Sequence, residues 1–170
     1  MPNVVDTLAG KFVNLAAPNR FEIIINYPLA IQGDSEQAKY MCKAGSIPTE
    51  SIGEITVGYQ SQTLKVSGDR TYDDWTCSIY NSEDWAVRND IEKWMKIIND
   101  PETNYKTSHG AYQGGVIINQ LSINDLSTVA GYKLVKAWPK SIGEITLDWE
   151  TNDEKEIFDV TWSYIYFTRI

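Results

Sequence analysis

Cysteine is nearly absent from this 170-residue chain, with Cys42 and Cys77 the only two. Two thiols so far apart make no disulfide scaffold and read as small buried hydrophobes. Histidine is scarcer: His109 stands alone in a polar, glycine-containing stretch, with no Cys or carboxylate at ligand spacing, so no metal site is expected. No apolar run approaches the roughly 18 to 20 residues that a bilayer span needs. The N-terminus also lacks the basic start and apolar block of a signal peptide. The expectation is a chain folded in a cytoplasm, without a membrane anchor. Positive charge is short too: 15 Lys and Arg against 23 Asp and Glu leave a net charge of −8. That disfavours a protein that grips nucleic acid by neutralising phosphates, but not one along which nucleic acid slides.

Catalytic constellations are missing as well. Asp73 and Asp74 are adjacent, so on a strand they point to opposite faces and form no carboxylate pair. A Ser–His–Asp triad would have to use His109, and no Gly-x-Ser-x-Gly elbow is there to serve it. Gly114-Gly115 leads into a strand, not a helix, and so makes no phosphate cradle. No catalytic residue, metal or cofactor is assigned, and the chain reads as a non-enzyme.

What is present is the composition of a folded domain, 42% hydrophobic and 22% charged, with six Trp and ten Tyr to bury in a core or at subunit contacts. Phe21-Glu22-Ile23-Ile24-Ile25-Asn26-Tyr27 reads as a first strand with Phe21, Ile23, Ile25 and Tyr27 on one face. A polar hairpin loop is expected from Gly33 to Lys39, returning through Tyr40 to Ala44. Further strands are expected at Val116 to Ser122, Tyr132 to Trp138, Gly143 to Trp149 and Ile157 to Phe167. Asn81-Ser82-Glu83-Asp84 signals a helix start, and Val87, Ile91, Trp94, Met95 and Ile98 make one apolar stripe before Asn99-Asp100-Pro101 stops it. The sum is a mainly β chain, a sandwich or barrel of about seven to eight strands with one helix plugging it. Residues 1–19 read as an N-terminal arm and 20–170 as one β domain.

An internal echo runs through this pattern. Ser51-Ile52-Gly53-Glu54-Ile55-Thr56-Val57 recurs as Ser141-Ile142-Gly143-Glu144-Ile145-Thr146-Leu147, each copy following a proline and preceding a second strand. Two related hairpins in one sheet system are expected. The first copy carries the longer loop, with Gly58-Tyr59-Gln60-Ser61-Gln62 offering little to anchor it, and such a loop acts outside its own domain. Four charges, Asp69, Arg70, Asp73 and Asp74, crowd the Gly68–Trp75 stretch that follows. With no catalytic set to serve, they read as an ion-pair network at a subunit contact or as a local clasp within one subunit.

Cys42-Lys43-Ala44 with Ile47-Pro48, Gly58, the block Gly68-Asp69-Arg70-Thr71-Tyr72-Asp73-Asp74-Trp75-Thr76, and Trp138-Pro139 with Ile142-Gly143-Glu144 and Leu147-Asp148-Trp149 resemble the tail tube proteins of contractile-tailed, T-even-like bacteriophages. The resemblance covers about Pro18 to Phe167 and is weakest at 29–39 and 100–115. It implies a structural protein whose six-subunit rings stack into a hollow tube inside a contractile sheath, with strands from six subunits closing an inner β-barrel. Implied partners are other copies of the chain, the sheath protein, baseplate and tail-terminator proteins, and in the lumen a tape-measure protein and genome DNA without specific binding. The implied location is the virion tail, after assembly in the host bacterial cytoplasm.

Under that resemblance, Asp69, Arg70, Asp73, Asp74, Gly58 and Tyr59 become subunit-interface candidates. Strand alternation places Ile145, Leu147 and Trp149 on the core face. That leaves Glu144, Thr146 and Asp148, with Glu54 and Thr56 as their echoes, as candidates to line an acidic lumen that repels phosphate. Rings of type VI secretion or extracellular injection systems, and baseplate proteins that initiate a tube, share the architecture and remain alternatives. From another class, a monomeric ligand-binding β-sandwich would show solvent-facing aromatics on one patch.

Overall fold

The computed structural model describes residues 15–151 and 153–170; most of the expected N-terminal arm, residues 1–14, lies outside them. The elements are β1 (Phe21–Asn26), α1 (Ser35–Met41), β2 (Cys42–Gly45), β3 (Glu50–Tyr59), β4 (Gln62–Tyr72), β5 (Trp75–Tyr80), α2 (Ala86–Ile98), β6 (Gly114–Leu121), β7 (Thr128–Ile142), β8 (Ile157–Ser163) and β9 (Tyr166–Arg169). Seven strands form one antiparallel sheet in the order β1–β6–β7–β8–β5–β2 with β9 on β7, while β3 and β4 make a separate two-stranded sheet. The mainly β reading is borne out.

The fifteen-residue β7 turns the sheet. Its first part pairs with β6 and β9, and Trp138–Ile142 pairs with β8. Between them Lys136 takes a left-handed φ of 57° and drops out of register, a bulge that bends the strand. Both halves of the sheet feed one core: Ile23 and Ile25 of β1, Val116 of β6 and Leu134 of β7 meet Trp75, Cys77, Ile79, Phe158, Val160 and Trp162. At the two ends of the path, Gly45 of β2 packs against Ile23 of β1, but β1 and β2 do not pair, so the sheet is not closed.

Helix α2 plugs this core as the apolar stripe implies, burying Val87, Ile91 and Trp94. The Trp94 ring stands edge-on to Trp162 at 5.4 Å and its Nε1 donates to the Tyr112 carbonyl at 2.7 Å. Gly114 opens β6 directly against that ring, where a Cβ would lie 2.5 Å from it. The helix begins after Trp85 at φ 55°, with the Ala86 N–H donating to the Asp84 carboxylate at 3.2 Å. Cys77 is buried, and burial pushes the half-buried Cys42 thiol up to about 12.

Four expectations are corrected. There are two helices, not one: Asp34 accepts from the N–H groups of Glu36 (2.9 Å) and Gln37 (3.0 Å), and this cap with buried Ala38 folds α1 where a hairpin loop was expected. Residues Gly58 to Gln62 are the tip of the β3–β4 hairpin, not a long loop. The final strand is two strands, because β8 lies beside β5 whereas β9 crosses to the other part of β7. Finally, residues 143–149 are not a strand: β7 ends at Ile142, Ile145 is only partly buried, and Leu147 and Trp149 are exposed instead of facing the core.

Candidate assembly surface

The β3–β4 hairpin projects from the body and is exposed along all of β3. Its strands alternate, so one face carries Ile55 opposite Val66 and Val57 opposite Leu64, with Tyr59 beyond them. In the isolated chain these four residues are 54%, 44%, 48% and 64% exposed in that order. The other face carries Glu54, Thr56, Gly58 and Lys65, with Lys65 Nζ 2.9 Å from Glu54. The turn residues Gln60 and Ser61 both have positive φ, 45° and 65°, the arrangement that matches the twist of a two-residue hairpin. A two-stranded ribbon of this length is marginal in water, and its free edges and uncovered apolar face call for a partner.

The charged stretch sits at the root of this hairpin. Its four charges do not pair with one another among the described residues. Arg70 Nη1 reaches Glu50 across the ladder at 2.6 Å, Lys140 donates to Asp74, and Thr49 donates to Asp73 at 3.3 Å. Asp69 has no ion-pair partner among the described residues. Two of these links close the hairpin root on itself, and Lys140–Asp74 ties it to β7 of the body. Tyr72 reinforces it by packing edge-on to Phe167 at 5.6 Å, and Trp75 Nε1 donates to the Ser46 carbonyl at 2.6 Å.

Of the lumen candidates, Glu54 and Thr56 lie together on the polar face of the hairpin. Glu144, Thr146 and Asp148 lie in the unpaired segment after β7, where Leu147 and Trp149 are 76% and 100% exposed. Asp148 closes a local turn there by accepting from the Glu150 N–H at 3.0 Å. The apolar face of the hairpin escaped the sequence reading. Its signal was the alternation Ile55-Val57-Tyr59 answered by Leu64-Val66. His109 stacks on Tyr112 with ring centroids 5.5 Å apart, and among the described residues no group of three His, Cys, Asp or Glu is placed to hold a metal.

An open antiparallel β body carrying one exposed hairpin and a plugging helix is a fold found in contractile injection machines. The chain superposes with a TM-score of 0.69 on the sheath/tube terminator of the extracellular contractile injection system PVC in its extended state, covering 92% of this chain and 96% of that one. At 13% identity that likeness is one of fold. Residues 13–170 match the phage tail tube protein family, and the chain belongs to it. It is 28% identical to tail tube protein gp19 of Enterobacteria phage T4 over 162 residues, and 30% identical to that of Enterobacteria phage T6 over 163. Each alignment covers 95% of this chain and 96% of the relative. The resemblance carried by Gly68–Thr76 and Trp138–Trp149 is therefore borne out, and the role is structural, in a tail tube of the virion.

Proposed function

We propose that copies of this chain close into six-subunit rings that stack as a hollow tube inside a contractile sheath, through which the genome leaves the virion. What carries this reading is the hairpin face of Ile55, Val57, Leu64 and Val66, long and apolar yet left open to solvent among the described residues. Pairing hairpins from successive copies removes the free edges, a closed barrel leaves no edge at all, and closure turns the apolar face outward onto the surrounding subunit bodies. Gly58 and Tyr59 at the tip then reach a neighbouring ring, and Asp69, Arg70, Asp73 and Asp74 at the root flank the contact between subunits.

The chemistry is passive and needs no catalytic group. With a net charge of −8 per chain, a ring of copies is strongly acidic. Glu54, Thr56, Glu144, Thr146 and Asp148 facing the lumen would keep DNA phosphates from adhering to the wall, within the roughly 8 Å over which physiological salt leaves charge unscreened. Tape-measure protein and DNA pass this wall without specific binding. The sheath, baseplate and terminator proteins meet the outer surface and the two ends, after assembly in the bacterial cytoplasm.

Electron microscopy of the purified protein over a concentration series, alone and on isolated baseplates, tests the reading. Six-fold rings or uniform hollow tubes are expected. Compact monomers under every condition, binding glycans through their aromatic residues, would contradict it.

A further inference from the structure

The echo of Ser51–Thr56 in Ser141–Thr146 continues into the opposite limb. At the same displacement of 90 residues Lys65 recurs as Lys155, Asp69 as Asp159 and Thr71 as Thr161. Strand pairing recurs with it. Ser51 lies opposite Thr71 and Ile52 opposite Arg70; Ser141 lies opposite Thr161 and Ile142 opposite Val160. Gly53 rests on the Asp69 backbone, where a Cβ would lie 3.4 Å from the carbonyl oxygen. Gly143 repeats the placement, its N–H donating to the Asp159 carbonyl at 2.7 Å. Beyond this point the copies diverge: the first ladder runs on from Glu54–Ser67 to Tyr59–Gln62, while the second stops. The limbs of the second stand apart around an open hollow of about 710 Å³ lined by Glu144, Leu147, Trp149, Glu154 and Glu156.

We infer that residues 144–147 and 154–157 are a second assembly arm, which zips in the register of the first only when a second copy of this chain lies beside it. The register pairs Glu144 with Ile157, Ile145 with Glu156, Thr146 with Lys155 and Leu147 with Glu154. This rests on the self-assembly reading and adds to it a partner edge and a folding step.

Chemistry explains why the arm stays open alone. The first arm is held by the cross-strand pairs Ile55–Val66 and Val57–Leu64. At the corresponding positions the second sets Ile145 against Glu156 and Leu147 against Glu154. Those pairs bring no apolar contact, and Glu154 and Glu156, two residues apart on one face of their limb, repel each other. A third strand alongside supplies the missing backbone hydrogen bonds and apolar cross-strand neighbours for Ile145 and Leu147. The topology names that strand. The β5–β8 ladder has Trp75–Trp162 at one end, three residues on from the root of the first arm at Tyr72, and Tyr80–Ile157 at the other, where the second arm springs. Arms at opposite ends of one ladder meet when copies repeat head to tail, a heterologous contact that closes into a ring. The occupant is therefore the free edge of the β3–β4 hairpin of the next copy.

Hydrogen exchange by mass spectrometry on the wild-type chain, as monomer and in assembled tubes, tests this. Amides of 144–147 and 154–156 should exchange freely in the monomer and slow by about 100-fold or more in tubes, whereas the 54–59 amides of the first arm already show protection in the monomer. A Thr146→Cys, Lys155→Cys pair should cross-link in tubes and not in the monomer, while Thr56→Cys, Lys65→Cys cross-links in both. Tubes in which the 144–147 amides still exchange freely overturn the second arm and leave the tube reading standing. A chain that forms neither rings nor tubes, alone or on baseplates, overturns both.

Discussion

The hairpin that follows Gly53 and the segment that follows Gly143 start from the same six residues and the same strand pairing, and end in different states. One is a zipped ribbon with an apolar face in water; the other is an open, acidic pair of limbs. Backbone register alone therefore does not decide whether a hairpin forms here. What decides it is the cross-strand partner of each β-former: Val66 and Leu64 in the first case, Glu156 and Glu154 in the second. The difference also assigns the arms different tasks. A preformed arm offers an edge, and an arm that orders on contact completes the sheet only when that edge arrives.

The largest effect should come from removing the platform under both arms. Trp162 is fully buried at the ladder end, against Trp94. Trp162→Ala should cost about 3–5 kcal/mol in urea unfolding, and neither arm should then support assembly. Next, Val57→Asp with Leu64→Asp puts like charges directly opposite each other on the first arm only. The body should keep its unfolding free energy to within about 0.5 kcal/mol, since both positions are exposed, while the critical concentration for tubes rises at least about tenfold, or 1.4 kcal/mol.

Glu156→Val with Glu154→Leu gives the second arm the partners of the first, each pair adding about 0.2–1 kcal/mol. The 144–147 amides should then become protected in the monomer. The smallest effect is a control confined to the body. Glu22 accepts from Lys39 and from Asn119, and these bonds hold its carboxyl below the usual range. A carboxyl lowered on folding stabilises above its unfolded value and loses that contribution as pH falls through the folded one. An acid titration of stability should therefore show a loss of at most about 1 kcal/mol below roughly pH 4.5, absent in Glu22→Gln, with both arms unchanged.

Much of the body could be read from the chain because its signals are repeated and local. Phe21, Ile23 and Ile25 alternate as a half-buried strand must, and Val87, Ile91 and Trp94 fall on one helical face. Helix α1 was hidden because its evidence is a single cap, Asp34, and a single buried residue, Ala38, inside a polar run. The first hairpin is legible in the sequence, but its tight turn reads as a longer loop because it uses Gln60 and Ser61 at positive φ, where glycine or asparagine is the usual signal. The strand expected at 143–149 has a strand's residues but no apolar partners across from them. The four charges at Asp69 to Asp74 were recognisable as a cluster, yet their partners Glu50, Thr49 and Lys140 come from elsewhere in the chain and only the fold brings them in.

A cryo-EM map of tubes assembled from this chain tests the central claim most directly. The hairpin of 50–72 and the arm after Gly143 from adjacent copies should form one continuous inner sheet, with Glu54, Thr56, Glu144, Thr146 and Asp148 on an acidic lumen wall. A tube whose hairpins lie on the outer surface, or whose lumen is neutral or basic, would contradict it.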